Sequence, residues 1–132
     1  MERQVINPWP WQDAFGFVQA SMVAGPGRLI LCAGQISVDE QGAPLHAGDM
    51  RAQLARSLDN LETVLQQAGA GLDDVVRLNY YTTDVGALLG AWDTVTERLA
   101  RGGCRPASTL LGVAQLAFPE LLVEIEATAV VV

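Results

Sequence analysis

Hydrophobic residues recur along the chain with two periods, and each period predicts one kind of element. Residues 49–68 place apolar side chains three or four positions apart, which is the spacing of one helix face. That face consists of Met50, Leu54, Leu58, Leu61, Leu65 and Ala68. Asp49 suits the N-cap of this helix, and Gly69 suits its C-terminal end. A similar stripe predicts a second helix over 85–101, capped by Asp84.

Apolar runs and strict alternation predict strands elsewhere. The predicted strands cover 16–24, 29–36, 74–83, 106–115 and 120–131. A turn at Gly25-Pro26-Gly27 joins the first two, which predicts a β-hairpin. Residues 1–15 are predicted to form a short strand and an arm. We expect Trp9 and Trp11 in that arm to pack in the core or against a neighbouring subunit, because buried tryptophans mostly supply area rather than chemistry.

This order of elements predicts an α+β fold in a single domain spanning residues 1–132. About six strands form a mixed sheet, and the two helices pack on one of its faces. The other face carries a mixed set of side chains, including Arg77, Asn79, Tyr81, Glu124 and Glu126. Such a face suits a subunit interface with polar pockets better than open water.

Composition favours an acidic protein that associates with itself. Apolar residues make up 50% of the chain and charged residues only 17%, so part of the surface is expected to be buried between subunits. The net charge is −7, which argues against nucleic-acid binding because phosphate backbones are repelled. All eight basic residues other than the histidine are arginines. The absence of lysine excludes Schiff-base chemistry and a P-loop.

Few residues remain that suit metal or nucleophilic chemistry. The one histidine, His46, leaves little room for a zinc site or a histidine-based triad. Cys32 and Cys104 lie far apart and are expected to be inert, so a reducing cytoplasm is the expected location. The first fifteen residues contain no apolar run typical of a signal peptide or a membrane span.

Glu124 and Glu126 are the most informative acidic residues. Their spacing of two on a strand places both carboxylates on one face, where each raises the pKa of the other. One of them can act as a general acid or base, or hold a water molecule. The alternative is structural, with both glutamates paired to arginines such as Arg77 at an interface. Arg105, in a glycine-containing loop, either grips a carboxylate or forms an ordinary surface ion pair.

Several segments resemble the RidA family, also called the YjgF or L-PSP family. The resemblance is carried by the segments 32–36 (CAGQI), 52–61 (AQLARSLDNL), 73–77 (DDVVR), 105–109 (RPAST), 112–116 (GVAQL) and 123–127 (VEIEA). They cover nearly the whole chain in the family's order. The resemblance implies a chorismate-mutase-like fold and a homotrimer, in which three sheets line a central barrel and small molecules bind in clefts between subunits. It also implies hydrolysis of enamines and imines without a metal or organic cofactor.

The family's site residues carry over only in part. Glu124 matches the acid that is proposed to orient the attacking water. Phe17 falls where the family has a pocket tyrosine, and Ala33 falls where it has a serine. Trp92 falls near a pocket asparagine. Ser108 falls where deaminating members have a carboxylate-binding arginine, so Arg105, three residues upstream, is the candidate to replace it.

Two classes of function follow from this pattern. The first is an imine- or enamine-hydrolysing enzyme in which Glu124 positions water, acting on an altered substrate that binds against Phe17, Ala33, Trp92, Arg105 and Ser108. The second is a trimer that binds a small metabolite, or assists a pathway enzyme, without turnover. An endoribonuclease or translation inhibitor, a description given to some relatives, is disfavoured by the net charge.

Overall fold

The computed structural model of the protein describes residues 2–132. It contains six strands and three α-helices in the order β1 (Glu2–Ile6), β2 (Ala20–Ala24), β3 (Arg28–Leu31), α1 (Met50–Gln67), β4 (Val75–Thr82), α2 (Val85–Gly90), α3 (Trp92–Arg101), β5 (Ala107–Gly112) and β6 (Val123–Val131). Two 3₁₀ turns, Trp11–Phe15 and Leu72–Asp74, connect them. The α+β fold class is confirmed. Among residues 2–132, no helix is both long and apolar enough to cross a membrane.

The six strands are divided between two sheets. Four form a mixed sheet in the order β3-β6-β4-β5, in which only β4 and β5 run parallel. The other two, β1 and β2, form an antiparallel ribbon. Because β6 lies between β3 and β4, one of its edges pairs with β3 and the other pairs with β4.

The predicted hairpin between residues 16–24 and 29–36 is wrong. The turn is present, with Gly25 at a φ of +90°, but β2 pairs with β1 and β3 pairs with β6. The reason lies just before β2, where Val18 forms a parallel bridge with Ala107 of β5. That contact anchors the segment at the edge strand opposite β3. A turn therefore sets the reversal of the chain but not the pairing of the strands beside it.

One face of the four-stranded sheet carries the core. The apolar stripe of α1 packs there, and Leu54, Leu58, Leu61 and Leu65 are fully buried. Asp49 caps the helix as predicted by accepting a hydrogen bond from Ala52 N, and Gly69 follows its end with a φ of +78°. The predicted alternation of β6 is also confirmed from Val123 to Ala129, because Val123, Ile125, Ala127 and Ala129 are buried and the residues between them are half-buried.

The second predicted helix is interrupted. Asp84 caps α2 by accepting a hydrogen bond from Ala87 N, as predicted. The helix over 85–101 is nevertheless broken at Ala91, between α2 and α3. Gly90 precedes the break, and glycine favours a helix less than other residues because its backbone loses more freedom. Leu88, Val95 and Leu99 still share one buried stripe across the break.

Two further expectations are corrected. Because Arg77 and Asn79 are predicted on the outer face, strict alternation predicts that Val76 is buried with Leu78. A β-bulge between Val75 and Arg77 instead places Val75 in the core and leaves Val76 half-buried. Trp9 and Trp11 do not pack in the core of their own chain, because each is 57% exposed.

Candidate functional site

The outer face of the four-stranded sheet, on the side away from the helices, brings both glutamates together with polar residues of β4. The register pairs Tyr81 with Glu124 and Asn79 with Glu126 across β4 and β6. Directly opposed residues on neighbouring strands have Cβ atoms about 4.5–5.5 Å apart, so these four side chains form one cluster.

Glu126 is held firmly within this cluster. The hydroxyl of Tyr81 donates a short hydrogen bond to Glu126 Oε1, and Asn79 Nδ2 donates another at 3.2 Å. These bonds, that of Tyr81 first, lower the pKa of Glu126, because both stabilise the charged carboxylate. The same interaction raises the pKa of Tyr81.

Glu124 has the opposite surroundings. No group among residues 2–132 donates a hydrogen bond to its carboxylate, and no arginine among them forms an ion pair with it. Partial burial, and then the charge of Glu126, raise the pKa of Glu124. The structural alternative is that both glutamates pair with arginines such as Arg77 at an interface. Within residues 2–132 no arginine forms an ion pair with either glutamate, so a single chain does not supply these pairs.

The backbone at Gly34 lies directly against Glu124. A Cβ atom built on Gly34 would lie 2.6 Å from Glu124 Oε2, so a larger residue at this position would displace the carboxylate from its present place. Ala33, the preceding residue, is exposed, and its carbonyl accepts a hydrogen bond from Gln35 Nε2. Gln35 in turn exchanges two backbone hydrogen bonds with Ile125. The structure thus brings Ala33 and Glu124 to the same part of the molecule.

Two other predicted residues, Phe17 and Arg105, line a separate cavity of about 440 Å³. Its wall consists of Asp13, Gly16, Phe17, Thr96, Leu99, Ala100, Gly103, Cys104 and Arg105. The guanidinium of Arg105 lies at the rim, 4.0 Å from Asp13 Oδ1, and both side chains are largely exposed. Burial raises the pKa of Cys104 to about 12, so this thiol is protonated at neutral pH. The cavity offers an apolar wall and one exposed cation.

Trp92 lies beside this cavity without lining it. Its Nε1 donates to the carbonyl of Phe15 at 3.0 Å, and its ring packs edge-on against Tyr80 with the centroids 4.8 Å apart. It therefore fixes the segment that leads into Phe17.

Ser108 lies on β5 with the facing of Leu110, which packs towards the core. Its neighbour Thr109 faces outwards, because its hydroxyl accepts a hydrogen bond from Arg77. Within one chain, Ser108 and Glu124 are thus on opposite faces of the sheet.

The cavity and the cluster lie towards opposite ends of the sheet. Ala107, two residues after Arg105, pairs with Arg77, whereas Glu124 pairs with Tyr81. The offset of four positions between Arg77 and Tyr81 corresponds to about 13 Å along the strand. Within one chain, Arg105 and Phe17 are therefore distant from Glu124.

The sequence did not reveal the hydrogen bonds within the cluster or the role of Gly34. Alternation placed Tyr81 and Asn79 on the face of Glu126, but the choice of bonding partners depends on the register between strands. Asp13 was also missed as a cavity residue, since nothing in the sequence links it to Arg105.

The site thus defines an α+β protein with a polar, acidic sheet face and a separate apolar cavity. Residues 12–131 match the family model described as Endoribonuclease L-PSP. The protein belongs to this family, which is also known as RidA or YjgF.

Three relatives illustrate the range of similarity. A solved Rid-family protein of Yersinia pestis, of unknown function, is 39% identical, with a TM-score of 0.88, covering 99% of this chain and 100% of that one. A RutC family protein of Pyrococcus abyssi is 32% identical over 103 residues, which are 78% of this chain and 79% of the relative. A protein of Escherichia coli K12 named 2-iminobutanoate/2-iminopropanoate deaminase is 30% identical over 105 residues, covering 79% of this chain and 80% of the relative.

Proposed function

We propose that this protein hydrolyses small imines or enamines to a carbonyl compound and ammonia, with Glu124 orienting and deprotonating the attacking water. The observation that carries the proposal is the surroundings of Glu124. It is a half-buried carboxylate to which no group among residues 2–132 donates a hydrogen bond, beside a second carboxylate that accepts two. Pairs of acids whose environments separate their pKa values are typical of general acid–base sites. The relative named as an imine deaminase supports the reaction class.

The reaction needs one group that accepts and returns protons. Glu124 takes a proton from water while the water oxygen bonds to the imine carbon, and it passes that proton to the nitrogen. The resulting carbinolamine loses its hydroxyl proton to Glu124 as the carbon–nitrogen bond breaks, and ammonia leaves with that proton. Imine and water thus give carbonyl compound and ammonia. Burial favours this role because it raises the pKa of Glu124 towards the working range of a proton carrier.

We propose that the complete cleft forms between subunits of a homotrimer. The separation of the cavity from Glu124 in one chain supports this arrangement, because a second copy can bring the Phe17 side of one subunit to the Glu124 side of the next. The outer sheet face also carries leucines that suit an interface, and Leu31 is 75% exposed. In this arrangement Phe17 and Arg105 contact the substrate from the cavity, and Ala33 borders it beside Glu124. Trp92 supports this wall indirectly, through the segment that leads into Phe17, and Ser108 is proposed to border the cleft from the core side of β5. No metal or organic cofactor takes part in the proposed reaction.

Arg105 is the proposed anchor for an anionic group of the substrate. It is exposed at the cavity rim, and its nearest acid, Asp13, lies at the limit of an ion pair. Ser108 has no charge and faces the core side, so it cannot take this role. The proposed substrate is a small imine with an apolar body, and any anionic group lies next to Arg105. A cytoplasmic location agrees with this chemistry, because imines of amino acids arise in metabolism there.

An ammonia-release assay tests the proposal. An amino-acid oxidase generates 2-iminopropionate or 2-iminobutyrate, and ammonia is followed with and without the protein. Glu124→Gln is expected to reduce the acceleration about 10²–10⁴-fold, the usual contribution of general acid–base catalysis. Glu40→Gln, in an exposed loop, is the matched control and is expected to retain full activity.

A non-catalytic trimer that binds a metabolite is the second candidate. It is favoured by the facing of Ser108 and by the fact that no arginine in the described part of the chain, residues 2–132, forms an ion pair with Glu124. Under this alternative the protein does not accelerate ammonia release from either imine, while small-molecule binding is still detected by calorimetry and is weakened by Phe17→Ala.

A further inference from the structure

Glu124 and Glu126 have the same side chain and the same facing, but the structure gives them different surroundings. Both lie on β6, two residues apart, and both are half-buried. Glu126 accepts hydrogen bonds from Tyr81 and Asn79, and Glu124 accepts none from residues 2–132. This difference arises from β4 and not from the glutamates themselves.

The register explains how Tyr81 selects one glutamate. Tyr81 is directly opposite Glu124, yet its hydroxyl reaches diagonally to Glu126. A tyrosine is long enough to span the diagonal between strands, whereas Asn79 reaches only the glutamate directly opposite it. With its proton directed to Glu126, the hydroxyl of Tyr81 is not available to Glu124.

We propose that Tyr81 and Asn79 hold Glu126 as a fixed anion, so that Glu124 alone of the two carboxylates exchanges protons with the substrate water. Tyr81 and Glu126 are then positioning residues, because they act through Glu124 and do not touch the reacting atoms. This inference rests on the proposed imine hydrolysis for its catalytic meaning. The proton assignment between the two glutamates can be measured without turnover.

The remaining groups around the pair agree with this assignment. Arg77 on β4 attracts Glu126 through space and lowers its pKa further, while its guanidinium contacts Thr109 on β5. On the β3 side, the groove next to Glu126 is bordered by Cys32, a half-buried thiol whose pKa is raised by burial and which is therefore uncharged at neutral pH. Beside Glu124 lies the backbone of Gly34, which carries no charge. Charge therefore favours ionisation of Glu126 and not of Glu124.

A carboxyl-carbon NMR titration of the intact protein tests the assignment directly. In the wild type, Glu126 is expected to titrate below the usual range of a glutamate and Glu124 above it. Tyr81→Phe removes the strongest donor, so the pKa of Glu126 is expected to rise. Glu126→Gln removes a neighbouring charge, so the pKa of Glu124 is expected to fall. Thr128→Val, on the same face of β6, is the control and is expected to shift neither glutamate.

The pH profile of kcat/KM links the assignment to turnover. Its acidic limb reports protonation of Glu124, so Glu126→Gln is expected to move that limb to lower pH. The inference is overturned if Glu126 titrates in its usual range in the wild type, or if Glu124 is unaffected by Glu126→Gln. A protein that shows the predicted titrations but no ammonia release contradicts the proposed hydrolysis and leaves the proton assignment intact, so the two failures are distinguishable.

Discussion

The two faces of the four-stranded sheet are built from the same strands but have opposite chemistry. On the inner face, alternate residues of β4 and β6 such as Leu78, Val123 and Ile125 are fully buried beneath the helices. On the outer face, the intervening residues include Glu124 and Glu126. Alternation therefore lets one pair of strands carry the core on one side and a candidate site on the other.

The outer face is also more apolar than a solvent-facing surface requires. Leu29 is 60% exposed and Leu31 is 75% exposed in the single chain, and Leu31 borders the groove that contains Glu126. Exposed leucines beside half-buried acids are typical of a surface that another subunit covers. The inner face shows what holds the chain together, and the outer face is the surface that a second copy covers in the proposed assembly.

The largest effect on stability is expected on the inner face. Leu58→Ala removes a fully buried side chain from α1, so it is expected to lower the free energy of unfolding by about 2–5 kcal/mol. Urea denaturation measures this loss. Val64→Ala, on the partly exposed side of the same helix, is the control. Equal losses in the two variants would show that the helix does not pack on the sheet through the predicted stripe.

A smaller loss of stability is expected when the hydrogen bonds that join α1 to the segment before β6 are removed. The fully buried Gln53 donates to the carbonyls of His46 and Glu120 and accepts from Leu122 N, just before β6. Gln53→Ala leaves these backbone groups unpaired and is expected to cost about 1–3 kcal/mol in urea unfolding.

Gln53→Ala also tests whether these hydrogen bonds help to position Glu124. Because Gln53 positions the entry to the strand that carries Glu124, imine hydrolysis is expected to fall as well. Gln66→Ala, exposed on α1, is the control for both measurements. If Gln53→Ala destabilises the protein but leaves imine hydrolysis unchanged, Gln53 does not position Glu124.

On the outer face, substitution is expected to change assembly more than folding. Leu31→Asp places a charge where the proposed trimer buries a leucine, but in the single chain the residue is largely exposed. Light scattering is expected to shift from the mass of three chains to that of one chain, 14.1 kDa. The circular dichroism of the folded chain is expected to persist. A trimer that is unchanged by Leu31→Asp would place the subunit interface elsewhere.

The smallest effect on the free energy of unfolding is expected from replacing the two glutamates, and the two replacements are expected to act in opposite directions. The pKa of Glu126 is lowered on folding from a reference of 4.5, so its contribution to stability is present above that pH and is lost as the pH falls through the folded value. The pKa of Glu124 is raised, so its charge opposes folding at neutral pH. In urea unfolding at pH 7, Glu126→Gln is expected to destabilise the protein and Glu124→Gln is not. The same sign for both would contradict the difference in their surroundings.

Periodicity was sufficient to predict the inner face. The α1 stripe, both aspartate caps and the alternation of β6 depend on local spacing and on which side chains avoid water. These features are therefore encoded within each segment. The family was also accessible from the sequence, because its motifs occur in order along nearly the whole chain.

Features that depend on long-range pairing could not be predicted in the same way. The partner of β2 is decided by the contact between Val18 and Ala107, which are far apart in sequence. The diagonal bond from Tyr81 to Glu126 depends on the register of two strands and on side-chain length. The helix break at Ala91 has a local cause in Gly90, but the apolar stripe continues across it, so the spacing alone predicts one helix. For the candidate site, the sequence predicted Glu124, Phe17, Ala33 and Arg105 but not Gly34 or Asp13, and the structure divides these residues into two separate groups.

Subunit complementation tests most directly the claim that the site forms between copies of this chain. One chain carries Glu124→Gln and the other carries both Phe17→Ala and Arg105→Ala, and the two are co-expressed and assayed for imine hydrolysis. If each cleft combines halves from adjacent subunits of a ring, random mixing restores about a quarter of the clefts, so activity returns although each variant alone is inactive. Mixed trimers that remain as inactive as the separate variants would contradict the account, because both halves of each site would then belong to the same chain.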